Sequence, residues 1–304
     1  MLDTIRVKFP ISPTEEQLKH WTRRVSTSPT GQRESYVYNP EVDETTLRFT
    51  YYPHGYDNNP ILTLETSLPK LLFGVNYRML GSLDGTIKIA NMQLEAVPHI
   101  PKLDLAEGVL IRLDICYNHQ VGELVEDYIK ALGNLDYPHR RTKHHKGEGV
   151  EFRAKHKTTK FYNKEHESGY IEAHGILRQE ITLIDGKDIQ KLLGRKHPTL
   201  QDVNYGQVAE TLQEDLEKLG LLNHSIATRD QALRMLCQEF GELAGMYYHG
   251  LLLNRMDKSK KEIVREAGAH PRSLDRKLSK IVKAGIPLTL TDREQPLPPL
   301  EIKP

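Results

Sequence analysis

The chain of 304 residues lacks several features that define common protein classes. Its two cysteines, Cys116 and Cys237, offer neither a disulfide framework nor the paired spacing of a zinc site, which favours a reduced, cytoplasmic setting. No apolar run approaches the ~18 residues of a membrane span, and the first residues lack the apolar core of a signal peptide. We therefore expect a cytoplasmic protein with no membrane partner.

A strong overall charge is also missing, because the formal net charge is only +1 at pH 7. The balance of the whole chain therefore indicates no particular partner, and any nucleic-acid role must depend on a local concentration of charge. The phosphate-binding loop GxxxxGK[ST] is absent as well, which argues against an ATP-driven motor.

What is present indicates an α+β protein. Short β segments dominate residues 1–200, where the alternation of apolar and polar positions predicts a mainly antiparallel sheet, with a polar loop over residues 136–149. From residue 201 to 290 the apolar spacing changes to the helical period, and we expect an appended helical domain. Residues 291–304, which include "PLPPLEIKP", predict a proline-rich, disordered tail.

The helical part contains two capping signals. Thr228 with Gln231 predicts the start of a long helix whose apolar residues keep the 3.6-residue period as far as Leu251. Ser259 with Glu262 predicts the start of a shorter helix.

The shorter helix is the first half of a helix-turn-helix-like pattern. Gly268 breaks it, and Pro271 suits the first turn of the next helix. Leu274, Leu278 and Ile281 would face inward on that last helix, leaving a set of basic residues outside: Arg272, Arg276, Lys277, Lys280 and Lys283. An ordinary surface hairpin of helices is the alternative.

Two predicted strands carry an arginine and an acid on one face. Arg112 and Asp114 alternate with apolar residues in "VLIRLDIC", as Arg178 and Glu180 do in "ILRQEITL". Carboxylates are hard oxygen ligands of the type that Mg²⁺ and Mn²⁺ prefer. We therefore predict that Asp114 and Glu180 hold a divalent cation. The alternative is a solvated outer face with stabilising charge pairs.

A third polar segment, "KFYNKEHE", places Tyr162 between Lys160 and Lys164, at alternate positions that would share one side of a strand. A phenol with a pKa of ~10 is a weak nucleophile, but flanking ammonium groups favour the phenolate. Tyr162 is therefore a candidate for attack on a phosphodiester, and Glu167 a candidate third metal ligand. The alternative is a packing tyrosine, as we expect for Tyr170.

Basic residues are concentrated just before Tyr162. Residues 139–164 contain nine lysines and arginines against two glutamates, a local charge that suits the backbone of DNA. The predicted DNA contacts are Arg140, Arg141, Lys143, Arg153, Lys155 and Lys157 in and around this segment, and Arg272, Arg276, Lys277 and Lys280 in the C-terminal helices.

Taken in order, five segments of the chain resemble the filamentous-phage gene II/gene X replication initiators. They are "SLPKLLFGVN", "LIRLDICYN", "TKFYNKEHE", "ILRQEITL" and "RKLSKIVKAGIP". The resemblance implies a metal-dependent, site-specific nickase in which Tyr162 becomes linked to a 5′ phosphate, with Lys164 and Glu167 at matching positions. Gln179 departs from the pattern, since an apolar or aromatic residue is expected there.

The same resemblance implies a cofactor, partners and further catalytic residues. We expect Mg²⁺ or Mn²⁺, and catalytic assistance from Lys160, Lys164, Arg112 and Arg178. Origin DNA, double-stranded and single-stranded, would be the substrate in the cytoplasm of a bacterial host, whose helicase and polymerase would act at the free 3′ end. A conjugative relaxase and a non-catalytic DNA-binding regulator are alternatives. The His-hydrophobic-His metal pair of many nickases and relaxases is absent.

Overall fold

The computed structural model is α+β, as the sequence predicts, with ten strands and eleven α-helices in the part of the chain that it describes. The structure describes residues 1–28, 31–40, 47–55, 58–258, 260–268 and 270–303. Ser259, one half of the second predicted capping box, lies outside these ranges.

The strands form one sheet in the order β2-β3-β4-β5-β1-β6-β10-β9-β8-β7. The pairings of β1 with β5 and β6, of β3 with β2 and β4, of β4 with β5 and of β7 with β8 are antiparallel. The strands are β1 Leu2–Phe9, β2 Thr22–Ser28, β3 Gly31–Tyr38, β4 Arg48–Tyr52, β5 Ile61–Ser67, β6 Val109–Gln120, β7 Arg141–His145, β8 Gly149–Arg153, β9 Lys157–Asn163 and β10 Ile176–Leu183.

The helices are short before residue 200 and longer after it. None of those described combines the length and hydropathy that crossing a membrane would require. They are α1 Glu15–Leu18, α2 Leu68–Phe73, α3 Leu83–Glu95, α4 Val125–Gly133, α5 Lys164–Ser168, α6 Gly186–Leu193, α7 Tyr205–Lys218, α8 Arg229–Phe240, α9 Glu242–Asp257, α10 Lys260–Glu266 and α11 Pro271–Lys283.

The chain divides into two compact units, and β6 and β10 contribute residues to both. The first unit consists of Met1–Tyr117, Lys155–Thr158 and Glu180–Val208. Its core is built by strand alternation: Ile5, Val7 and Phe9 of β1 are buried while the residues between them are partly exposed. The second unit consists of Asn118–Ala154, Thr159–Gln179 and Ala209–Pro304.

The predicted long helix from Thr228 is two helices. Thr228 and Gln231 form the expected capping box at the start of α8. The helix ends at Gly241, whose φ of +81° departs from helical geometry and lets α9 begin in a new direction. Gly245 makes the close return possible, since a β carbon there would lie 2.5 Å from the backbone of Cys237.

The prediction of a disordered tail was wrong. Leu297, Leu300 and Ile302 are buried, and isolated β-bridges join Leu297 to Ile226 and Leu300 to Leu222. The prolines between them favour an extended backbone, which presents the apolar residues to the second unit without needing a regular strand.

The prediction of a polar loop over residues 136–149 was also wrong, because β7 lies within it and forms a hairpin with β8. The turn between the strands contains Lys146 and Gly147, both with positive φ (38° and 82°), the backbone that a tight hairpin turn requires. Thr142 and His144 alternate with charged residues along β7, a pattern too polar to be recognised as a strand.

The unexpected Gln179 has a structural role in the second unit. Its side-chain amide donates to the backbone oxygen of Leu212 at 3.0 Å, and its Oε1 lies 3.1 Å from Nε2 of the buried His119. A neutral imidazole donates to this oxygen, and burial lowers the pKa of His119 to about 4.

His119 should make folding sensitive to acid. The unfolded chain protonates this histidine near pH 6.5 and the folded chain only near pH 4, so its contribution to stability falls as the pH drops through that window, by about 3 kcal/mol. Urea unfolding of a His119→Gln variant should show a smaller loss of unfolding free energy between pH 7 and pH 4.5 than the wild-type protein. The exposed His197, changed to Gln, serves as the control. Equal acid sensitivity of all three proteins would contradict the assignment.

Candidate active site

A row of charged side chains crosses four neighbouring strands of the first unit. Arg6 of β1 lies directly opposite both Glu65 of β5 and Arg112 of β6, and Arg48 of β4 lies opposite Glu65. Directly opposed residues share a face of the sheet. Glu65 bridges two of the arginines, since its Oε2 accepts from Nε of Arg6 at 2.6 Å and its Oε1 from Nη1 of Arg112 at 2.8 Å.

Arg112 in turn holds both carboxylate oxygens of Asp114, at 3.1 Å from Nε and 2.7 Å from Nη2. A bidentate pair of this kind fixes the orientation of the carboxylate. Burial disfavours the charged guanidinium, but the hydrogen bonds and charge of Asp114, with the charges of Glu65 and Glu180, outweigh it and raise the pKa of Arg112. Glu65 therefore orients Asp114 through Arg112, a link between distant segments that sequence spacing could not reveal.

The acids of this face are not solvated. Asp114 is 2% exposed and Glu180 is 6% exposed, and Arg178, in the second unit, is fully buried. The alternative of an open outer face is therefore wrong for these residues, although the charge pairing that it included is present between Arg112 and Asp114.

Asp114 and Glu180 would supply only two carboxylate ligands to a divalent cation. Among the described residues, no group of three or more His, Cys, Asp or Glu side chains could hold a metal ion. Mg²⁺ is commonly bound by one or two carboxylates, with water and substrate phosphates completing its shell. Both oxygens of Asp114 already accept from Arg112, but each carboxylate oxygen has a second lone pair.

In the second unit, Tyr162 lies near the end of β9 and is half-buried. The neighbouring strand β8 begins at Gly149, where a β carbon would lie 2.8 Å from both the β carbon of Tyr162 and the backbone oxygen of Phe161. Even alanine would therefore force β9 to shift at Tyr162. The sequence shows Gly149 only as part of a turn-like "GEG", so its role in placing the phenol was missed.

Lys164 does not extend the strand, contrary to prediction. Asn163 ends β9, and its side chain caps α5 by accepting from the backbone N–H of His166. Lys164 is the first residue of α5; it is fully buried, forms an ion pair with Glu167, and has its Nζ 5.5 Å from the centre of the Tyr162 ring. The structure thus brings Tyr162, Lys164 and Glu167 together at one corner.

A basic face of the β7–β8 hairpin borders this corner. Arg141 lies opposite Arg153, Lys143 opposite Glu151, and His145 opposite Gly149, the residue that contacts Tyr162. The side chains of Arg141, Lys143 and Arg153 are exposed.

One buried carboxylate organises the cations of the hairpin face. Glu151 accepts from Nε of Arg153 at 2.7 Å and lies 3.1 Å from Nε2 of His145. Burial opposes ionisation, yet these hydrogen bonds and the charges of Arg153 and Lys160 keep the pKa of Glu151 below its ordinary value. Two further predicted contacts, Lys155 and Lys157, belong to the first unit, where Lys155 is exposed and Lys157 half-buried.

The side chain of Arg140 is buried in the interior of the second unit. It is 8% exposed, stacks over the ring of Tyr137 at 3.6 Å and donates to the hydroxyl of Thr159. Thr159 donates to the fully buried Asp215, which also accepts from the hydroxyl of Tyr137 at 2.7 Å. This network anchors β9 three residues before Tyr162, so Arg140 supports the site rather than facing solvent.

The C-terminal helix α11 has the predicted faces. Pro271 occupies the first turn of α11, and Leu274, Leu278 and Ile281 are buried. Of the basic residues, Arg272, Arg276, Lys280 and Lys283 are exposed, whereas Lys277 contacts both the hydroxyl and the ring of Tyr247 on α9.

The sheet of this protein carries the sequence motifs on its strands, and helices follow it along the chain. Residues 1–192 match the Phage_CRI family model, which describes the N-terminal part of a replication-associated protein. Because the match covers more than half of the chain, the protein belongs to that family. The resemblance read from the sequence motifs is thereby confirmed.

Two other comparisons accompany this match. The chain is similar to a solved rolling circle replication initiator protein from Geobacillus stearothermophilus, with 16% identity, a TM-score of 0.38, and coverage of 72% of this chain and 84% of that one. No curated protein matches the chain.

Proposed function

We propose that the protein initiates rolling-circle replication by nicking one strand of an origin and keeping the 5′ end on Tyr162. The observation that supports this most is the corner formed by Tyr162, the buried Lys164 and Glu167 in a chain of this replication-associated family. Burying an ammonium group is costly unless it is paired, and the ion pair with Glu167 allows the buried Lys164 to place a positive charge beside the ring.

The proposed reaction is a transesterification. The oxygen of Tyr162 attacks the phosphorus of the scissile phosphodiester, and the bond from phosphorus to the 3′ oxygen breaks. The phenol loses its proton in this step, and the leaving 3′ oxygen takes up a proton to become the 3′ hydroxyl. The phosphodiester energy is conserved in the link between tyrosine and the 5′ phosphate. Attack by a 3′ hydroxyl on that link reverses the chemistry and rejoins a strand.

Each neighbouring residue has a proposed task in this step. Lys164 favours the phenolate through its positive charge, and Glu167 keeps that ammonium charged and oriented. Gly149 fixes where the phenol stands. Lys160, Arg112 and Arg178 are proposed to assist at the phosphate. Because the described residues contain no group of three possible metal-ligating side chains, Glu167 is proposed as the partner of Lys164 and not as a third metal ligand.

Asp114 and Glu180 would hold Mg²⁺ or Mn²⁺, which would polarise a phosphoryl oxygen when bound. In the protein itself, Arg112 and Glu65 hold Asp114 in one orientation, which prearranges the ligand.

Origin DNA is the proposed partner, together with a host helicase and polymerase at the nick. The exposed cations of the β7–β8 hairpin, with Lys155 and Lys157, would contact the backbone near the cleavage site. The basic side of α11, which we interpret as helix-turn-helix-like, would contact duplex DNA with Arg272, Arg276, Lys277 and Lys280.

Replacing Arg276 and Lys280 with Ala should weaken binding to the origin duplex. Each lost phosphate contact should lower the slope of log affinity against log salt by about one unit. Fluorescence anisotropy with a labelled duplex over a range of KCl concentrations measures both quantities. The control removes Lys218 and Lys187, which are exposed on α7 and α6. If the affinity and the salt slope of the α11 variant are unchanged, then the basic side of α11 does not contact duplex DNA.

Supercoiled DNA that carries the region flanking the protein's own gene tests the proposed function. With Mg²⁺ or Mn²⁺ it should be converted to a nicked circle, and without the cation it should stay supercoiled. Binding without nicking would favour a non-catalytic regulator. Nicking of a conjugative transfer origin, but not of this region, would favour a relaxase.

A further inference from the structure

The strands β2 and β3 form a two-stranded ribbon at the edge of the sheet. They pair from Thr22 opposite Val37 to Ser28 opposite Gly31. The next strand, β4, pairs with β3 only from Tyr36 to Tyr38, so in the described part of the chain Gly31–Ser35 pairs with β2 alone. About five residues of each strand, or ~17 Å of ribbon, therefore extend beyond the body of the sheet.

The ribbon buries almost nothing. Every residue from Thr22 to Thr27 is exposed, and so is every residue from Gly31 to Arg33. Val25 is the large apolar side chain among them and is 52% exposed. A hairpin without burial is marginally stable in water, so the shape suits a partner that packs against both of its faces.

The chemistry of the ribbon is basic and rich in hydrogen-bonding groups. Residues 17–33 contain no Asp or Glu, and Thr22–Arg33 contains three arginines with several hydroxyl groups. On one face Arg23 pairs with Glu34, which also accepts from the hydroxyl of Tyr36 at 2.7 Å. That face is largely neutralised.

The other face combines Arg24, Ser26, Arg33 and Ser35, because Arg24 lies opposite Ser35 and Ser26 opposite Arg33. Arg24 and Arg33 are thus diagonal neighbours, ~7–8 Å apart at their backbones. This is close to two base-pair steps of ~3.4 Å each. Arginine is the side chain that most often reads guanine by a bidentate contact, and a two-stranded ribbon is one of the shapes that the major groove admits.

We propose that the β2–β3 ribbon enters the major groove of the origin duplex and reads base edges with Arg24 and Arg33. The inference rests on the proposed function, whose other duplex contacts lie on α11. An edge strand also carries charges merely to prevent pairing with other chains. That role needs only scattered charges, whereas Arg24 and Arg33 lie on one face of the ribbon as diagonal neighbours.

Three variants of the full chain test the proposal by duplex binding alone. The double variant Arg24→Ala, Arg33→Ala removes both the positive charges and the guanidinium groups. The double variant Arg24→Lys, Arg33→Lys keeps the charges but removes the guanidinium groups, which are needed for a bidentate contact. The control, Lys102→Ala with Arg195→Ala, removes two exposed cations from the same unit. Anisotropy at several KCl concentrations compares the duplex that the wild-type protein binds best with a scrambled duplex of equal composition.

The alanine variant should bind the preferred duplex at least tenfold more weakly, while the control stays within twofold of the wild type. The lysine variant should keep the salt slope and affinity for the scrambled duplex but lose at least fivefold in preference between the two duplexes. A preference unchanged within twofold in both ribbon variants, with normal thermal unfolding, would overturn the proposal. Failure of the proposed function is seen separately, as the absence of a covalent DNA adduct in the wild-type protein.

Discussion

Changing Asp114 or Glu180 to Ala is expected to abolish nicking while leaving duplex binding within about twofold of the wild type. Bound cations contribute several kcal/mol to phosphoryl chemistry, so the loss in rate should be roughly 100-fold or more. Duplex affinity should survive because phosphates are contacted mainly by lysine and arginine. Nicking of the supercoiled substrate and anisotropy with the duplex measure the two properties side by side.

The buried position of both acids requires variants that keep the fold. Asp114→Ala leaves Arg112 without its bidentate partner, so the fold loses a part-buried ion pair although Glu65 still pairs with Arg112. Asp114→Asn and Glu180→Gln preserve shape and should show the same loss of nicking, with weaker binding of Mn²⁺ by calorimetry. Glu95→Ala, which removes an exposed carboxylate of the same unit, is the control. Wild-type nicking in the folded amide variants would remove both acids from the proposed metal site.

A graded effect is expected at Glu65. Glu65→Gln keeps the shape of the side chain but weakens its hold on Arg112, so Asp114 becomes less well oriented. Nicking should then demand a higher cation concentration, with a smaller loss at saturation than for Asp114→Asn. If the cation requirement is unchanged, then the ion pair of Glu65 and Arg112 stabilises the fold but does not orient Asp114 for cation binding.

Tyr162→Phe should eliminate the covalent intermediate. The substitution removes one oxygen and retains the ring that Lys164 contacts, so the fold and duplex binding should be preserved. Loss of a covalent nucleophile lowers the rate on the order of 1,000-fold or more. The measurement is the yield of protein–DNA adduct on a denaturing gel, alongside duplex affinity.

Tyr170→Phe is the matched control for this experiment. Tyr170 is 36% exposed and follows α5 by two residues, so it is the nearest alternative phenol in sequence. Its variant should form the adduct at the wild-type level. Full activity of Tyr162→Phe together with an inactive Tyr170→Phe would show that the roles are reversed.

The sequence was most informative where side chains alternate between a core and a polar face. The spacing of apolar residues predicts β6 and β10, and it also predicts that Arg112, Asp114 and Glu180 lie on these strands. The face of α11 follows for the same reason, because Leu274, Leu278 and Ile281 keep the helical period.

Features that depend on pairing between distant segments could not be predicted. Glu65 and Gly149 matter only because the sheet register places them beside Arg112 and Tyr162. The ribbon of β2 and β3 escaped notice because neither strand alternates with a core at that end.

Two other predictions, the strand through Lys164 and the disordered tail, were wrong although local signals in the sequence opposed them. Asn163 is a good helix cap, which could have ended the strand before Lys164. The prolines of the tail predict disorder, although Leu297, Leu300 and Ile302 are apolar residues that the structure buries.

The site of covalent attachment tests the central claim most directly. Wild-type protein is incubated with Mg²⁺ or Mn²⁺ and a 3′-labelled origin strand, denatured, digested with trypsin and analysed by mass spectrometry. Cleavage after Lys160 and Lys164 releases the peptide "FYNK", residues 161–164, in which Tyr162 is the only tyrosine. The account predicts that the labelled 5′-phosphoryl fragment is attached to this peptide. Attachment to the peptide of residues 165–178, which contains Tyr170, or the absence of any adduct on DNA that the protein nicks, would contradict it.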